Sequence, residues 1–141
     1  MSLILYVAAP FTHREASTRE HRFQVACRAS ALLMQSNICC FSPLSHSVPI
    51  VRYGGKSLDE LDSDFWLTMD IPFLERSDEL LILGLGGWER SKCVLAEMLF
   101  ALKNHKPITL IEENEIEKLP KVPKTARRFL ESKILTETYD E

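Results

Sequence analysis

Four short and mostly apolar runs divide the chain, at residues 3–8, 38–41, 79–85 and 107–111. Continuous apolar runs of this length are typical of strands that are buried on both faces of a parallel sheet. Helical patterns separate the runs, so strands and helices alternate along the sequence. This alternation predicts a three-layer α/β fold with a mostly parallel sheet of four to five strands, in which residues 3–8 are central.

Apolar spacing and cap residues place most of the helices. The first helix is predicted at residues 15–36, and Asn37 is suited to the left-handed position that follows many helices. Two others are predicted at residues 91–103 and, shortly before the acidic tail, at 125–133. A Gly-Gly pair at 86–87 is expected to form a turn.

A further helix is predicted to begin at a capping box made by Ser57 and Glu60. Its inward-facing side chains are then Leu58, Leu61, Phe65 and Met69. Pro72 is expected to kink or restart it, because proline lacks the amide hydrogen that a helix interior uses. Phe65 and Trp66 are adjacent, so we expect one large aromatic side chain to face away from the sheet and to mark a homo-oligomer interface.

The segment at residues 42–56 has two prolines, a Gly-Gly pair and little periodicity, so it is predicted to be a long surface loop. It follows the second strand, and ligands of parallel α/β folds bind at the carboxyl ends of strands. Long loops in small domains are often functional. We therefore expect this loop to cover a ligand, with Ser45 or His46 touching it; the alternative is a solvent-facing connection.

Length and charge restrict the function further. A chain of 141 residues, 45% hydrophobic and 26% charged, fits one globular domain spanning residues 1–141. The net charge of −3 argues against coating bulk nucleic acid, although a small anionic ligand is compatible with it. No apolar run approaches the roughly 20 residues of a membrane span, and no basic region precedes the first run. We therefore expect a cytoplasmic protein with no membrane partner.

The four cysteines have no spacing typical of metal sites or disulfides. Cys39 and Cys40 are adjacent and point to opposite faces of a strand, while Cys27 and Cys93 stand alone. We expect buried, reduced thiols, no metal ion and no cofactor. The Gly84-Leu85-Gly86-Gly87 run lacks the order of a dinucleotide fingerprint.

Glu97 is the most informative residue in the sequence. Its helical neighbours three and four positions away are all apolar: Cys93, Val94, Phe100 and Ala101. A carboxylate in the middle of a buried face is costly, and burial raises its pKa. Glu97 is then either a functional group facing the ligand crevice, a surface residue, or the partner of a core arginine. Tyr6 and Asp70 are weaker candidates, since each is also compatible with a structural role.

Several motifs together resemble the nucleoside 2-deoxyribosyltransferases. Residues 6–11, Tyr-Val-Ala-Ala-Pro-Phe, are similar to the family's YLAGPF opening. Asp70 followed by residues 77–83 is similar to its helix-to-strand segment, and residues 91–97 are similar to its nucleophile helix. The FSPLSHS and GWERSKC stretches are closer to an uncharacterised branch of that superfamily, described as domains of unknown function. The resemblance covers about residues 3–111.

The resemblance implies a flavodoxin-like, five-stranded parallel sheet and a retaining double displacement. The glutamate that matches Glu97 attacks the anomeric carbon, and a second base or water releases the sugar. The tyrosine matching Tyr6 holds that carboxylate, and the aspartate matching Asp70 helps to engage the base. Ser91 replaces an aspartate that protonates the leaving base in the family, while Cys93 and Ala9 replace glycines. Transfer between free bases and an open sugar site are therefore in question.

Two functions of different class remain open. The first is an enzyme that cleaves or transfers the N-glycosidic bond of a nucleoside or nucleoside 5′-monophosphate. The second is a non-catalytic binder or sensor of a nucleotide-derived ligand, in which Cys93 fills the sugar site. The catalytic candidates are Glu97, Tyr6 and Asp70. The substrate-binding candidates lie at the strand ends: Ala8, Pro10, Phe11, Arg14, Ser42, Ser45, His46, Gly87, Trp88 and Ser91.

Overall fold

One sheet of five strands forms the centre of the computed structural model, which describes residues 3–123 and 127–128. Its strands are β1 (Ile4–Ala8), β2 (Cys39–Phe41), β3 (Glu79–Gly84), β4 (Ile108–Glu112) and β5 (Arg127–Arg128). They are arranged in the order β2-β1-β3-β4-β5. The first four are parallel and β5 is antiparallel to β4. The predicted four strands and the central position of the first one are confirmed.

Four α-helices cover the two faces of the sheet: α1 (Ala16–Gln35), α2 (Pro43–Gly54), α3 (Ser63–Glu75) and α4 (Lys92–Lys103). Alternate residues of β1 face opposite layers, because side chains in a strand alternate. Leu5 and Val7 pack in the layer of α1 and α2, while Tyr6 and Ala8 pack in the layer of α3 and α4. The result is the predicted three-layer, flavodoxin-like domain.

The predicted loop at residues 42–56 is wrong, because most of it is α2. The Ser42 hydroxyl accepts a hydrogen bond from the Ser45 amide at 3.3 Å, and Pro43 occupies the first turn, where its fixed φ suits a helix. Leu44 and Val48 are buried one turn apart. Pro49 lies inside the helix, which ends at Gly54. The cap and the buried spacing thus outweigh the two prolines.

Helix α3 begins later than the capping box predicted for it. Asp62 caps α3 by accepting a hydrogen bond from the Phe65 amide at 3.2 Å, whereas Ser57 lies in a separate 3₁₀ turn. Pro72 lies within α3, which continues to Glu75. The prediction of the inward-facing side chains is also wrong. The buried residues of α3 are Asp70 and Leu74, whereas Leu61 and Met69 are exposed.

Other predictions are confirmed or corrected locally. Asn37 adopts the left-handed conformation, with φ of 63°, as expected after α1. Phe65 and Trp66 are both half-buried and pack edge to face, so neither is the expected outward-facing aromatic side chain. Of the predicted helix at residues 125–133, Arg127–Arg128 form β5 and the other residues lie outside the described part of the chain.

The cysteines are free thiols, but they are less buried than expected. Cys39 is exposed, because β2 is a short strand at the edge of the sheet, and the other three are half-buried. Among the described residues, no helix has the length and apolar character that a membrane crossing requires.

The strand order fixes where a ligand can bind. The connection from β1 to β2 runs to one side of β1, and the chain then returns to place β3 on its other side. In sheets of this order a crevice opens beyond the carboxyl ends of the two strands at which the direction reverses. The segments that follow β1 and β3 therefore border a natural ligand site.

Candidate functional site

A cavity of about 290 Å³ opens at this crevice between the ends of β1 and β3. Its volume is near the lower end of the range for small-molecule sites, about 300–1,000 Å³. Six parts of the chain line it: the β1–α1 loop, α1, α2, α3 with a residue just before it, the segment between β3 and α4, and the first two turns of α4. The lining residues include Pro10, Phe11, Arg22, Ser47, Trp66, Asp70, Gly87, Arg90, Ser91, Cys93 and Glu97.

Glu97 lines the cavity and is only 3% exposed. The Ser91 hydroxyl caps α4 by accepting a hydrogen bond from the Val94 amide at 3.2 Å, which fixes the start of the helix. Val94 and Ala101 pack against the sheet on the same face as Glu97. The sequence pattern that singled out Glu97 therefore reflects a carboxyl group on the buried face of α4.

Tyr6 is the partner of this carboxyl group. Its side chain is fully buried beneath the sheet surface, and its hydroxyl donates a short hydrogen bond to Glu97 Oε2. Burial first, and the nearby acidic groups Glu97 and Asp70 second, raise the pKa of Tyr6 well above its usual range. The phenol therefore keeps its proton and remains a donor. The expected contact between Tyr6 and Glu97 is present.

Asp70 brings a second carboxyl group to the cavity from the buried face of α3. It is 7% exposed, and burial raises its pKa to about 7. Burial also raises the pKa of Glu97 to about 8; the Tyr6 hydrogen bond lowers it and the charge of Asp70 raises it again. Two interacting carboxyl groups titrate as a pair. Near neutral pH this pair retains protons that exposed carboxyl groups have lost.

These pKa shifts predict that the protein loses stability as pH rises. The folded state holds protons up to about pH 7 to 8, whereas the unfolded chain releases them near 3.8 and 4.5. Between those limits the free energy of unfolding should fall as pH rises, by on the order of 1 kcal/mol per pH unit, because the folded state binds protons that the unfolded chain has released. Urea unfolding at pH 5 and pH 8.5 measures the fall, and Glu97→Gln should reduce it. An unchanged fall in the variant would contradict the burial of an ionisable Glu97.

Cys93 and Ser91 line the same cavity as Glu97. Burial, and next the charge of Glu97, raise the pKa of the Cys93 thiol to about 11, so it is neutral at pH 7. Cys93 therefore occupies space beside a ligand but does not bring a negatively charged thiolate to it. The Ser91 hydroxyl caps α4, and a serine side chain has no acidic group that could protonate a leaving base.

The structure brings together only part of the predicted site. Six predicted residues line the cavity, with Tyr6 beneath them: Pro10, Phe11, Asp70, Gly87, Ser91 and Glu97. Six others are not among the described lining residues: Ala8, Arg14, Ser42, Ser45, His46 and Trp88. Ser42 and Ser45 hydrogen-bond to each other inside the first turn of α2. His46 packs against the rings of Phe41 and Phe73.

Arg22 and Arg90 line the cavity although the sequence pattern did not single them out. Arg22 is on α1, and its guanidinium donates to main-chain carbonyls of two loops. Arg90 immediately precedes Ser91 in the segment after β3. Arg90 lies in the segment after a predicted strand, where ligands are expected to bind. Its positive charge in that segment could therefore have identified it as a candidate. Nothing local to α1 distinguishes Arg22 from the other arginines of that helix.

No group of three or more His, Cys, Asp or Glu side chains is placed to hold a metal ion in the described ranges. The sequence matches the family described as a domain of unknown function, DUF1937, over residues 3–113. No curated protein matches the chain. The matched region contains β1 to β4, all four α-helices and every described residue of the cavity. Since it makes up most of the chain, the protein belongs to the DUF1937 family.

Proposed function

We propose that this protein cleaves or transfers the N-glycosidic bond of a nucleoside or nucleotide, with Glu97 as the nucleophile. The observation that carries the proposal is the hydrogen bond from the buried Tyr6 hydroxyl to Glu97, whose side chain lines the cavity. A donor in the core holds one carboxylate oxygen and stabilises the negative charge. The other oxygen is then directed at the ligand, as in the nucleoside 2-deoxyribosyltransferases that the sequence resembles.

The first chemical step forms a glycosyl ester. A Glu97 carboxylate oxygen attacks the anomeric carbon, the bond from that carbon to the base nitrogen breaks, and its electron pair goes to the base. Asp70 supplies a proton to the leaving base, because its raised pKa leaves it partly protonated near pH 7. Asp70 thereby takes the acid role for which Ser91 has no suitable group.

The second step releases the sugar. Water, or the nitrogen of a second base, attacks the anomeric carbon, and the ester bond to Glu97 breaks with its electron pair returning to the carboxylate. Asp70, now ionised, accepts the proton of the attacking group. Two inversions at one carbon give overall retention. The first step needs Asp70 as the acid and Glu97 as the carboxylate. The raised pKa of Asp70 keeps its acid form present near pH 7, and the hydrogen bond from Tyr6 counteracts the burial that raises the pKa of Glu97.

A binder or sensor on the same fold is the second candidate, and Cys93 favours it. This side chain lies on the cavity wall where the resembled family has glycine, and it reduces the room for a sugar next to Glu97. A pocket that keeps its polar groups but excludes the reacting carbon from Glu97 would bind without turnover.

A screen for released base separates the two candidates. The purified protein is incubated with ribonucleosides, 2′-deoxyribonucleosides and their 5′-monophosphates, and free base is measured by chromatography. The enzyme proposal expects at least one substrate to give base together with an equal amount of sugar product. Binding in calorimetry without base release from any substrate would favour the binder.

We also propose that the protein forms a homo-oligomer. Helices α3 and α4 pack against each other and carry exposed apolar side chains: Met69, Phe73, Leu95, Leu99 and Leu102. Exposed apolar residues concentrated on neighbouring helices commonly mark an interface. Sedimentation at micromolar concentration should give a mass of two chains or more, and Leu99→Lys should shift it towards one chain. A monomeric wild-type protein would contradict the proposal.

A reducing compartment such as the cytoplasm is the setting that we propose for this activity. The four cysteines are free thiols in the structure, and reduced thiols are usual for cytosolic proteins. Cys93 is the one that borders the cavity, so disulfide formation there would obstruct the ligand.

A further inference from the structure

The charges around the cavity are unevenly matched. Glu60 pairs with Arg19 at 3.2 Å, and Lys92 pairs with Asp64 at 2.6 Å. Arg22 and Arg90 also line the cavity, but neither forms an ion pair with a carboxylate within the described residues. They leave two positive charges facing a partly enclosed space.

Arg22 is unusual for a residue with a permanent charge, because it is only 7% exposed. Its guanidinium donates to the carbonyl oxygens of Thr12 at 3.0 Å and Gly86 at 2.6 Å, with a longer bond to Phe11 at 3.4 Å. The carbonyl oxygens accept hydrogen bonds from the guanidinium but carry no net charge. A buried charge without a counter-charge is costly, which an anionic ligand would offset.

Arg90 places a second guanidinium next to the first. A Cβ built on Gly87 would lie 3.2 Å from Arg22 Nη2 and 3.6 Å from Arg90 Nη2, so both nitrogens surround one small region. Burial first, and the charge of Arg90 second, lower the pKa of Arg22. Arginine nevertheless stays protonated in proteins. Two like charges held this close repel each other until an anion lies between them.

We propose that Arg22 and Arg90 form a phosphate-binding subsite of the cavity, so that the ligand is a phosphorylated one such as a nucleoside 5′-monophosphate. This inference rests on the proposed function and gives its substrate class. Guanidinium groups suit phosphate because their planar N–H groups match its oxygen atoms. The subsite replaces the phosphate contacts expected from Arg14, Ser42, Ser45 and His46, none of which is among the described lining residues.

Calorimetry with sugars that contain no base tests the subsite without any turnover. We compare 2-deoxyribose 5-phosphate with 2-deoxyribose, and ribose 5-phosphate with ribose; inorganic phosphate serves as the probe of the anion alone. The phosphorylated sugars should bind at least about tenfold more tightly than the free sugars, since charge-assisted hydrogen bonds are strong. Inorganic phosphate should compete with them. Equal affinity for free and phosphorylated sugars would overturn the subsite.

Arg90→Gln is the decisive variant, because Arg90 is exposed and the substitution should leave the fold intact. It should weaken the binding of 2-deoxyribose 5-phosphate by about 10- to 100-fold and leave 2-deoxyribose unchanged. Arg76→Gln is the matched control: Arg76 is an exposed arginine at the end of α3, away from the cavity lining, and its replacement should change neither affinity. Arg22→Lys is a second variant. Lysine keeps the positive charge but lacks the planar N–H groups of a guanidinium, so the affinity for phosphate should fall in this variant too.

The two proposals fail in different ways. If Arg90→Gln binds 2-deoxyribose 5-phosphate as tightly as the wild type, the subsite is overturned even when nucleosides release base. If phosphate binding depends on Arg90 but no substrate releases base, the subsite stands and the glycosidic activity fails.

Discussion

Replacement of Glu97 by Gln should abolish base release while ligand binding is preserved. The amide keeps the volume of the side chain and can still accept a hydrogen bond from Tyr6, but it cannot form the glycosyl ester. Loss of a nucleophile typically lowers kcat by roughly 10⁴- to 10⁶-fold. Steady-state rates and calorimetry on the same preparation separate the loss of chemistry from any loss of binding.

Two comparisons make the Glu97 result specific. Glu75→Gln removes an exposed carboxylate at the end of α3 and should leave kcat unchanged. Tyr6→Phe removes only the hydroxyl that holds the nucleophile, so its effect should be smaller than that of Glu97→Gln. Full activity of Glu97→Gln would end the catalytic assignment and leave the binder as the better interpretation of the cavity.

Asp70→Asn should lower kcat by about 10²- to 10⁴-fold, the usual range for loss of a general acid. The burial that raises the pKa of Asp70 to about 7 also sets the expected pH profile. The acid form of Asp70 disappears as pH rises through that value, whereas the carboxylate form of Glu97 appears as pH rises through about 8. Wild-type base release should therefore be greatest between about pH 7 and 8 and decline on both sides. The variant should lose the decline at high pH and keep the one at low pH.

The leaving group supplies the control for Asp70. A nucleoside of 7-methylguanine already carries a positive charge on its base, and the base departs without receiving a proton. In the first turnover Asp70→Asn should therefore release base from this substrate nearly as fast as the wild type does, while an ordinary purine nucleoside is cleaved slowly. Later turnovers need Asp70 as the base of the second step and should be slow with both substrates. Equal loss of the first-turnover rate on both substrates would assign Asp70 to binding or folding instead of proton transfer to the base.

Strands β1, β3 and β4 could be predicted from the sequence because they are buried on both faces. That environment imposes an apolar character on most of their positions, and the short edge strand β2 keeps enough of it to be found. Helix α2 is hard to recognise from the sequence because prolines usually break helices, although Pro43 occupies the first turn, where proline is well tolerated. The inward face of α3 is set by its packing against α4, which leaves Met69 exposed and is not encoded in the local sequence.

The candidate site divides in the same way. Glu97 could be found because a carboxylate among apolar helix neighbours is a local anomaly, and the structure places it in the cavity. Arg22 could not, because its burial results from two loops that the chain brings together from positions far apart in sequence. Ser45 and His46 were expected at the cavity only through the supposed loop, and both belong to α2.

The hydrogen bonds of Arg22 affect how a ligand is received. One guanidinium joins the carbonyls of Thr12 and Gly86, so the loops after β1 and β3 are tied together by a contact of the protein itself. Ordering two loops costs conformational entropy, and here that cost falls on folding instead of on association. This rim of the cavity is preorganised, and a ligand is discriminated there by its own shape and charge instead of by closure of the protein around it.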